Sequence, residues 1–314
     1  MKKLPLRSLG SSNIEVSVMS LGSWKTLDRL PREISKKIFR SAVDAGINFF
    51  DDANYADETG KAPIKTGYSE VVFGEIFRET LANRKDAVVA NKLWWGSWPH
   101  QTALEELKDS LDRMRFEYID LIYCLPPPAE VGVRGAVEQI RQIIEFGMAR
   151  VWGVANWQHD QISLAVTCAD EMGITRPCVA QLPFSLAQRD WVESEEMAKA
   201  LLDAGIGLVA SHVLAGGTLT GKYLRGETGR ATYDSATEAT TKGKQLANDL
   251  STISKELNIS STHLALSFAL QHPALSSLLF GASSMGQLCD NVGAVDTFNS
   301  LSQESLRAIR RVGV

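Results

Sequence analysis

The stretch INFFDDANY, residues 47–55, decides how the chain is read. An apolar run ends in two adjacent carboxylates, Asp51 and Asp52, and is followed by the phenol of Tyr55. A buried strand that opens into a polar loop is where parallel α/β folds place their chemistry. A cation within reach would make the group reactive, and Lys92, at the end of the run AVVANKL, is the candidate.

The same pattern recurs on either side. After a Gly10-Ser11-Ser12-Asn13 cluster that predicts a hairpin turn, apolar runs begin at Val16 (VSVMSLG), Ile47 (INFFDDA), Ala87 (AVVANKL), Tyr118 (YIDLIYC), Val151 (VWGVAN), Val179 (VAQLPF), Gly207 (GLVASHV) and Ser277 (SLLFGA). Segments of helical periodicity lie between them. Residues 34–45 carry Ile38, Ala42 and Val43 on one face, and residues 103–114 carry Leu104, Leu107, Leu111 and Met114. Strands apolar on both faces belong in a parallel sheet covered by helices. Eight strand–helix units in 314 residues predict an α/β fold, a closed (β/α)8 TIM barrel with an N-terminal hairpin and extended loops after strands 2 and 7. No GxGxxG turn follows the early strands, which disfavours an open dinucleotide-binding sheet. The extended loops, residues 57–69 and 222–244, would lie at the C-terminal face as walls or lids. No linker divides the chain, so residues 1–314 read as a single barrel domain.

Composition narrows the function. With 44% apolar and 22% charged residues the chain is ordinary for a soluble globular protein. A net charge of -4 without a basic cluster argues against nucleic acid as a partner. Cys124, Cys168, Cys178 and Cys289 are scattered, lack metal-ligand spacing and read as reduced core residues. The sequence shows neither a signal peptide nor a run of transmembrane length, so a cytoplasmic protein without membrane contact is expected. The expected partner is a small-molecule substrate, with a homo-oligomer as a further possibility.

A barrel would bring Asp51, Tyr55 and Lys92 to one rim. Tyrosine, with a pKa of about 10, is a poor proton donor at neutral pH. A nearby ammonium lowers that value, and a carboxylate on the same ammonium fixes its position. The three residues thus form a candidate proton relay, although a rim salt bridge with a tyrosine packed beside it gives the same pattern. Asp52 reads either as a second acid or, by preference, as a solvated or capping carboxylate. Trp94, Trp95 and Trp98 are candidates for an apolar substrate wall, the alternative being loop packing. Pro126, Pro127 and Pro128 would stiffen the loop after strand four. His100, His159, His263 and His272 show no ligand spacing, so no metal is expected.

From end to end the sequence resembles an aldo-keto reductase, closest in its C-terminal third to the potassium-channel β-subunit-like branch. The segments that carry the resemblance are FFDDANY at 49–55, NKLWW around Lys92, GVANW at 153–157, AQLPF around Gln181, LAGGTLTGKY at 214–223 and LLFGASSMGQLCDN at 278–291. The resemblance implies a barrel that binds NADP(H) in extended form and moves a hydride to or from a carbonyl carbon. It makes Tyr55 the general acid, Lys92 the group that tunes it and Asp51 the anchor of Lys92. Asn156 and Gln181 would take the nicotinamide carboxamide, and Ser283, Ser284, Gln287, Asp290 and Asn291 the adenosine and its 2′-phosphate. Ser23, Trp24, Asp51, Ser211, His212, Leu214, Gly216, Lys222, Gly281 and Ala282 complete the implied cofactor contacts, His212 on the ribose or phosphates. A helix N-terminus after strand eight would suit a phosphate on physical grounds alone.

Three departures stand out. The family's histidine, five positions after the aspartate of the fourth strand, falls on Leu125 counted from Asp120, which joins the substrate wall. Losing one donor to a developing alkoxide costs about 10²–10³ in rate, so the substrate compensates, another side chain enters, or carbonyl reduction is not the main reaction. Ser211 stands where a ring stacked on the nicotinamide is expected, unless a tryptophan from a loop fills the place. Tyr55 follows Asp51 by four positions rather than five, which would misplace the hydroxyl if the strand end does not bulge. The reading that follows is an NADP(H)-dependent oxidoreductase acting on C=O, or on C=N or C=C. The alternative is an NADP(H)-binding regulatory or redox-sensing subunit with little turnover.

Overall fold

The glycine–serine cluster turns the chain between two short antiparallel strands, β1 (Leu6–Ser8) and β2 (Glu15–Ser17), in the computed structural model, which describes residues 3–233 and 236–313. The apolar run from Val16, expected as one strand, is divided. The Ser17 hydroxyl donates to the Met19 carbonyl at 2.6 Å, and the chain leaves the hairpin there to enter β3 (Met19–Gly22). The remaining barrel strands are β4 (Phe49–Asp51), β5 (Val88–Leu93), β6 (Ile119–Cys124), β7 (Ala149–Ala155), β8 (Val179–Pro183), β9 (Gly207–Ser211) and β10 (Leu275–Phe280). They pair in parallel and in chain order, β10 closing on β3, as a (β/α)8 barrel.

The hairpin plugs the N-terminal end. Leu9, Ile14 and Val16 enter the same buried cluster as Phe49, Ala90, Leu121, Tyr123, Val179 and Val209, the side chains that fill the barrel. Gly10, at φ 55°, lies so close to β8 and β9 that a Cβ there would sit 1.7 Å from the Cys178 carbonyl oxygen. Its N–H is bonded to Ser276 Oγ at 2.9 Å.

The helices form a second layer. Helix Arg32–Asp44 buries Ser35, Ile38, Phe39 and Ala42, while Val43, expected on that face, is half-buried at its edge. Helix Ala103–Met114 begins where its stripe predicts, because Thr102 and Glu105 cap it reciprocally. Phe39 stacks on Phe50 of β4 at 4.4 Å, Phe73 meets Phe39 and Phe116 edge to face, as Phe77 meets Phe116, and Phe73 and Phe77 are tilted against each other. Such pairs add about 0.5–1.5 kcal/mol each beyond their area, and Phe50 ties the strand that carries Asp51 into this cluster.

Of the long loops, the one after β4 runs to Gly67 and is pinned by an Ala56–Thr66 bridge. The one after β9 is less loop-like than expected. It holds 3-10 turns at Ala215–Thr220 and Lys222–Arg225 and a short helix at Arg230–Tyr233, and residues 238–244 belong to helix Glu238–Leu257. Asp234 and Ser235 lie outside the described residues. Among the described residues, no helix is long and apolar enough to cross a membrane.

Replacing Gly10 by alanine combines a left-handed backbone with a Cβ driven into a carbonyl. Urea unfolding should show a loss of at least about 2 kcal/mol, more than strain at φ > 0 alone. A variant within 0.5 kcal/mol of wild type, roughly the usual range for surface substitutions, would mean that the hairpin does not plug the barrel.

Candidate active site

Alternation along parallel strands points Asp51, Lys92, Gln181 and Ser211 inward at the C-terminal ends of β4, β5, β8 and β9. All four are buried. The Lys92 ammonium is paired with Asp51 Oδ1 and reaches the Tyr55 hydroxyl at 3.3 Å. Gln181 Nε2 donates to Asp51 Oδ2 at 2.9 Å, so both carboxylate oxygens are held. The short turn after Asp51 therefore keeps the phenol within reach of Lys92. Tyr55 N donates to the Ala53 carbonyl at 2.8 Å, and the Tyr55 carbonyl accepts from Gly67 N at 2.9 Å, which folds the turn back over the strand end.

Behind this row lies a layer that the sequence reading missed. Glu70, fully buried on helix Tyr68–Thr80, accepts from Asn91 Nδ2 at 2.8 Å and from Arg113 Nε at 2.5 Å. Asn91 Oδ1 in turn accepts from the Lys92 backbone N–H at 2.6 Å. Tyr123, paired in register with Lys92, is fully buried beneath it, with the ammonium 5.8 Å from its ring centre. Along the sequence Glu70 reads as an ordinary helix surface charge, and only the approach of Asn91 and Arg113 shows it to be buried and paired.

The electrostatics differ from expectation in two respects. Burial, followed by the charges of Asp51, Asp52 and Glu70, pushes the Tyr55 phenol well above its ordinary pKa rather than below it. The Lys92 ammonium is already engaged by Asp51, so Tyr55 keeps its proton at neutral pH. Asp52 is neither solvated nor a helix cap. It is fully buried, Oδ1 meets the Ser23 hydroxyl, and Oδ2 has no hydrogen-bond partner. Burial and the neighbouring Glu70 raise its pKa to about 8.

Aromatic rings surround the phenol. Trp24, on the loop after β3, lies 6.5 Å from the Tyr55 ring and 5.8 Å from His212, so an indole stands beside the end of β9 where Ser211 offers none. Trp94 meets Tyr55 edge-on at 5.9 Å and is 38% exposed. Trp95 is buried, with its indole N–H on the Leu125 carbonyl at 3.1 Å, and Trp98 packs on Trp95 at 6.1 Å rather than on Tyr55. Glu106, buried on the helix behind, accepts from the backbone N–H groups of Trp94 at 2.6 Å and Trp95 at 3.1 Å. Leu125 packs on the interior cluster, one step above Tyr123.

Lys25, Trp95, Asn156 and His212, which follow β3, β5, β7 and β9, all have left-handed backbones. Strain of this kind clusters at functional sites. Asn156 is exposed at the rim and its N–H donates to the Gln181 carbonyl at 3.0 Å. Beyond β9, Leu214 precedes the left-handed pair Gly216 and Gly217, and the Lys222 ammonium lies against Gly217. After β10, Gly281 and Ala282 lead to helix Met285–Ser300, where Ser284 accepts from Gln287 N and the Ser283 N–H donates to Gln287 Oε1 at 2.9 Å. Asp290 is exposed there, and Asn291 is buried. His263 bridges Asp290 and Thr297 rather than standing alone. His100 and His159 are exposed, and His272 packs against Phe184.

The parallel barrel thus holds a buried lysine–aspartate pair in contact with a tyrosine at its C-terminal mouth. The model of the Aldo/keto reductase family matches residues 18–313, and the chain belongs to that family. Membership implies nicotinamide-dependent oxidoreduction. The chain is 32% identical over 323 residues to a probable voltage-gated potassium channel subunit beta of Oryza sativa subsp. japonica, covering 98% of this chain and 95% of the relative. It is also 32% identical over 327 residues to a protein of the same description from Arabidopsis thaliana, with the same coverage.

Asp52 supplies a pH test. The unfolded carboxyl titrates near 3.9 and the folded one at about 8, so the native state binds the extra proton between these values. The stability of the wild type therefore falls as pH rises through that window. Asp52→Asn should be close to neutral in urea unfolding at pH 4 and stabilising at pH 8 by on the order of 4 kcal/mol. An equal effect at both values would place an ordinary carboxylate at this position.

Proposed function

We propose that residues 1–314 act as one NADP(H)-dependent oxidoreductase unit that moves a hydride between nicotinamide and a carbonyl, or a related C=N or C=C bond, with Tyr55 handling the proton. The observation that carries this is the contact chain from Gln181 to Asp51 to Lys92 to the Tyr55 hydroxyl, at the one end of the barrel that the hairpin leaves open. The cofactor would supply the hydride.

The chain's own residues fit such a group. The Gly216–Gly217 turn with Lys222 beside it, and the N-terminus of helix Met285–Ser300 with Ser283, Ser284 and the open flank of Gly286, offer backbone N–H groups and positive charge to phosphates. Asn156 and Gln181 stand at adjacent strand ends for a carboxamide, and Trp24 offers a ring face. Near the reacting atoms the roles divide. Asp51 holds Lys92, Lys92 orients the phenol, and Tyr55, kept protonated by its surroundings, gives its proton to the substrate oxygen as negative charge develops there.

The names of the relatives favour a second reading, a dinucleotide-binding regulatory subunit with slow turnover. Its partner would read the cofactor state instead of consuming the product.

Tyr55→Phe distinguishes catalysis from binding. The variant should lose about 10²–10⁴ in single-turnover oxidation of bound NADPH while still quenching tryptophan fluorescence at nearly the same NADPH concentration. Undiminished turnover would remove Tyr55 from the mechanism. Wild-type oxidation slower than cofactor release with every aldehyde, ketone and imine tried would favour the regulatory reading.

A further inference from the structure

The turn after β3, residues 23–26, is closed by its own bonds. The Ser23 carbonyl accepts from Thr26 N at 2.9 Å and from the Thr26 hydroxyl at 2.7 Å, and Lys25 between them has a left-handed backbone. Ser23 also fastens the turn to the barrel. Its N–H donates to the Asp51 carbonyl at 3.0 Å, and its hydroxyl donates to Asp52 Oδ1. Trp24 is the next residue and half-buried, so whatever holds Ser23 also sets the stance of the indole beside Tyr55 and His212.

Asp52 is an unusual fastening. It is fully buried, Ser23 is its only side-chain hydrogen-bond partner among the described residues, and Oδ2 has none. A neutral carboxyl leaves one polar atom unsatisfied there, whereas an ionised one leaves a buried charge short of donors, which costs far more. The charged and titratable groups around it are Asp51 on the same strand, Tyr55 on the following loop, Lys92 on β5, and Glu70 on helix Tyr68–Thr80 with Arg113 beyond it. The Lys92 ammonium is engaged by Asp51, and Lys25 on the turn is paired with Glu58 at 2.8 Å. Most of the enclosure is fixed. Asp52 N is tied to the Ala90 carbonyl of β5 at 3.1 Å, Asn91 and Arg113 hold Glu70, and the Tyr55 loop is pinned by Lys92 and the Ala56–Thr66 bridge. The turn is the side that can lift and admit water.

We propose that Asp52 is a positioning residue that acts through Ser23: while it keeps its proton the turn stays down and holds Trp24 beside Tyr55, and the turn lifts as that proton passes to water. With the turn down Asp52 titrates at about 8. With the turn lifted and the carboxyl hydrated it titrates near 3.9. Between these values only the closed form carries the proton, so opening is favoured about tenfold for each unit by which pH rises, and the gain ends above the upper value. A dinucleotide lying against Trp24 would leave through the open form, so its release quickens over the same window. That consequence rests on the oxidoreductase reading, and the opening itself does not.

Hydrogen exchange of the Ser23 and Thr26 amides, followed without cofactor from pH 5.5 to 7.5 and corrected for base catalysis of the exchange chemistry, reads the opening. Protection should fall about 100-fold over these two units in wild type, at a level well below that of the Phe50 amide in β4, which marks a local event. It should stay level in Asp52→Asn, which keeps an acceptor for Ser23 and cannot ionise. In Ser23→Ala the Thr26 amide should lose about tenfold in protection already at pH 5.5, the worth of one hydrogen bond. NADPH release in stopped flow should quicken over the same window in wild type and hold level in Asp52→Asn. Level protection in wild type, an equal fall in Asp52→Asn, turn amides as protected as Phe50, or unchanged protection in Ser23→Ala would each overturn the proposal. If the exchange results hold and the protein binds no NADPH, the oxidoreductase reading fails and the latch stands.

Discussion

The ion pair between Lys92 and Asp51 is the constraint on which the site depends. Both residues are buried at strand ends, and removing one partner from such a pair typically costs about 3–5 kcal/mol because a buried charge is left uncompensated. The barrel tolerates the pair because neighbouring groups hold both of its members. Gln181 takes the second carboxylate oxygen, Tyr55 takes a lysine proton, and Asn91 grips the lysine backbone from the outer layer. Strand order makes this possible, since β4, β5 and β8 contribute residues that are far apart in sequence and level in space.

The same burial gives the site its electrostatic character. Burial and the carboxylates enclosed nearby raise the phenol's affinity for a proton, and one of those carboxylates, the fully buried Asp52, has its own pKa pushed up to about 8. The tyrosine is thus suited to give a proton to an oxygen that becomes strongly basic, and not to hold a phenolate at rest. An ammonium beside a phenol does not by itself set the sign of the shift. What else shares that ammonium decides it.

Much of the fold was legible in the sequence because each apolar run is short, apolar on both faces and followed by a helical stripe, a combination that few architectures satisfy. The eight runs correspond to the eight barrel strands, with the first shortened where Ser17 turns the chain. The row Asp51, Tyr55 and Lys92 was legible because polar residues ended apolar runs. The supporting layer was not. Glu70 and Glu106 lie on helices, where period and propensity read them as ordinary surface charges, and only the approach of a neighbouring element shows that both are buried. The seventh loop was misjudged because its glycines and threonines mask turns that are tied by their own carbonyls. The charge state of Asp52 depends on desolvation, which spacing along a chain does not encode.

The grip of Glu106 on the tryptophan turn has an evolutionary corollary. It holds main-chain nitrogens, not indoles, so the backbone of that turn is indifferent to which side chain projects from it. Position 94 can then exchange its ring for a smaller or more polar group without moving Lys92 two residues upstream. A lineage carrying this carboxylate can therefore vary the ring at position 94 by single substitutions while the Lys92–Asp51 pair stays in register.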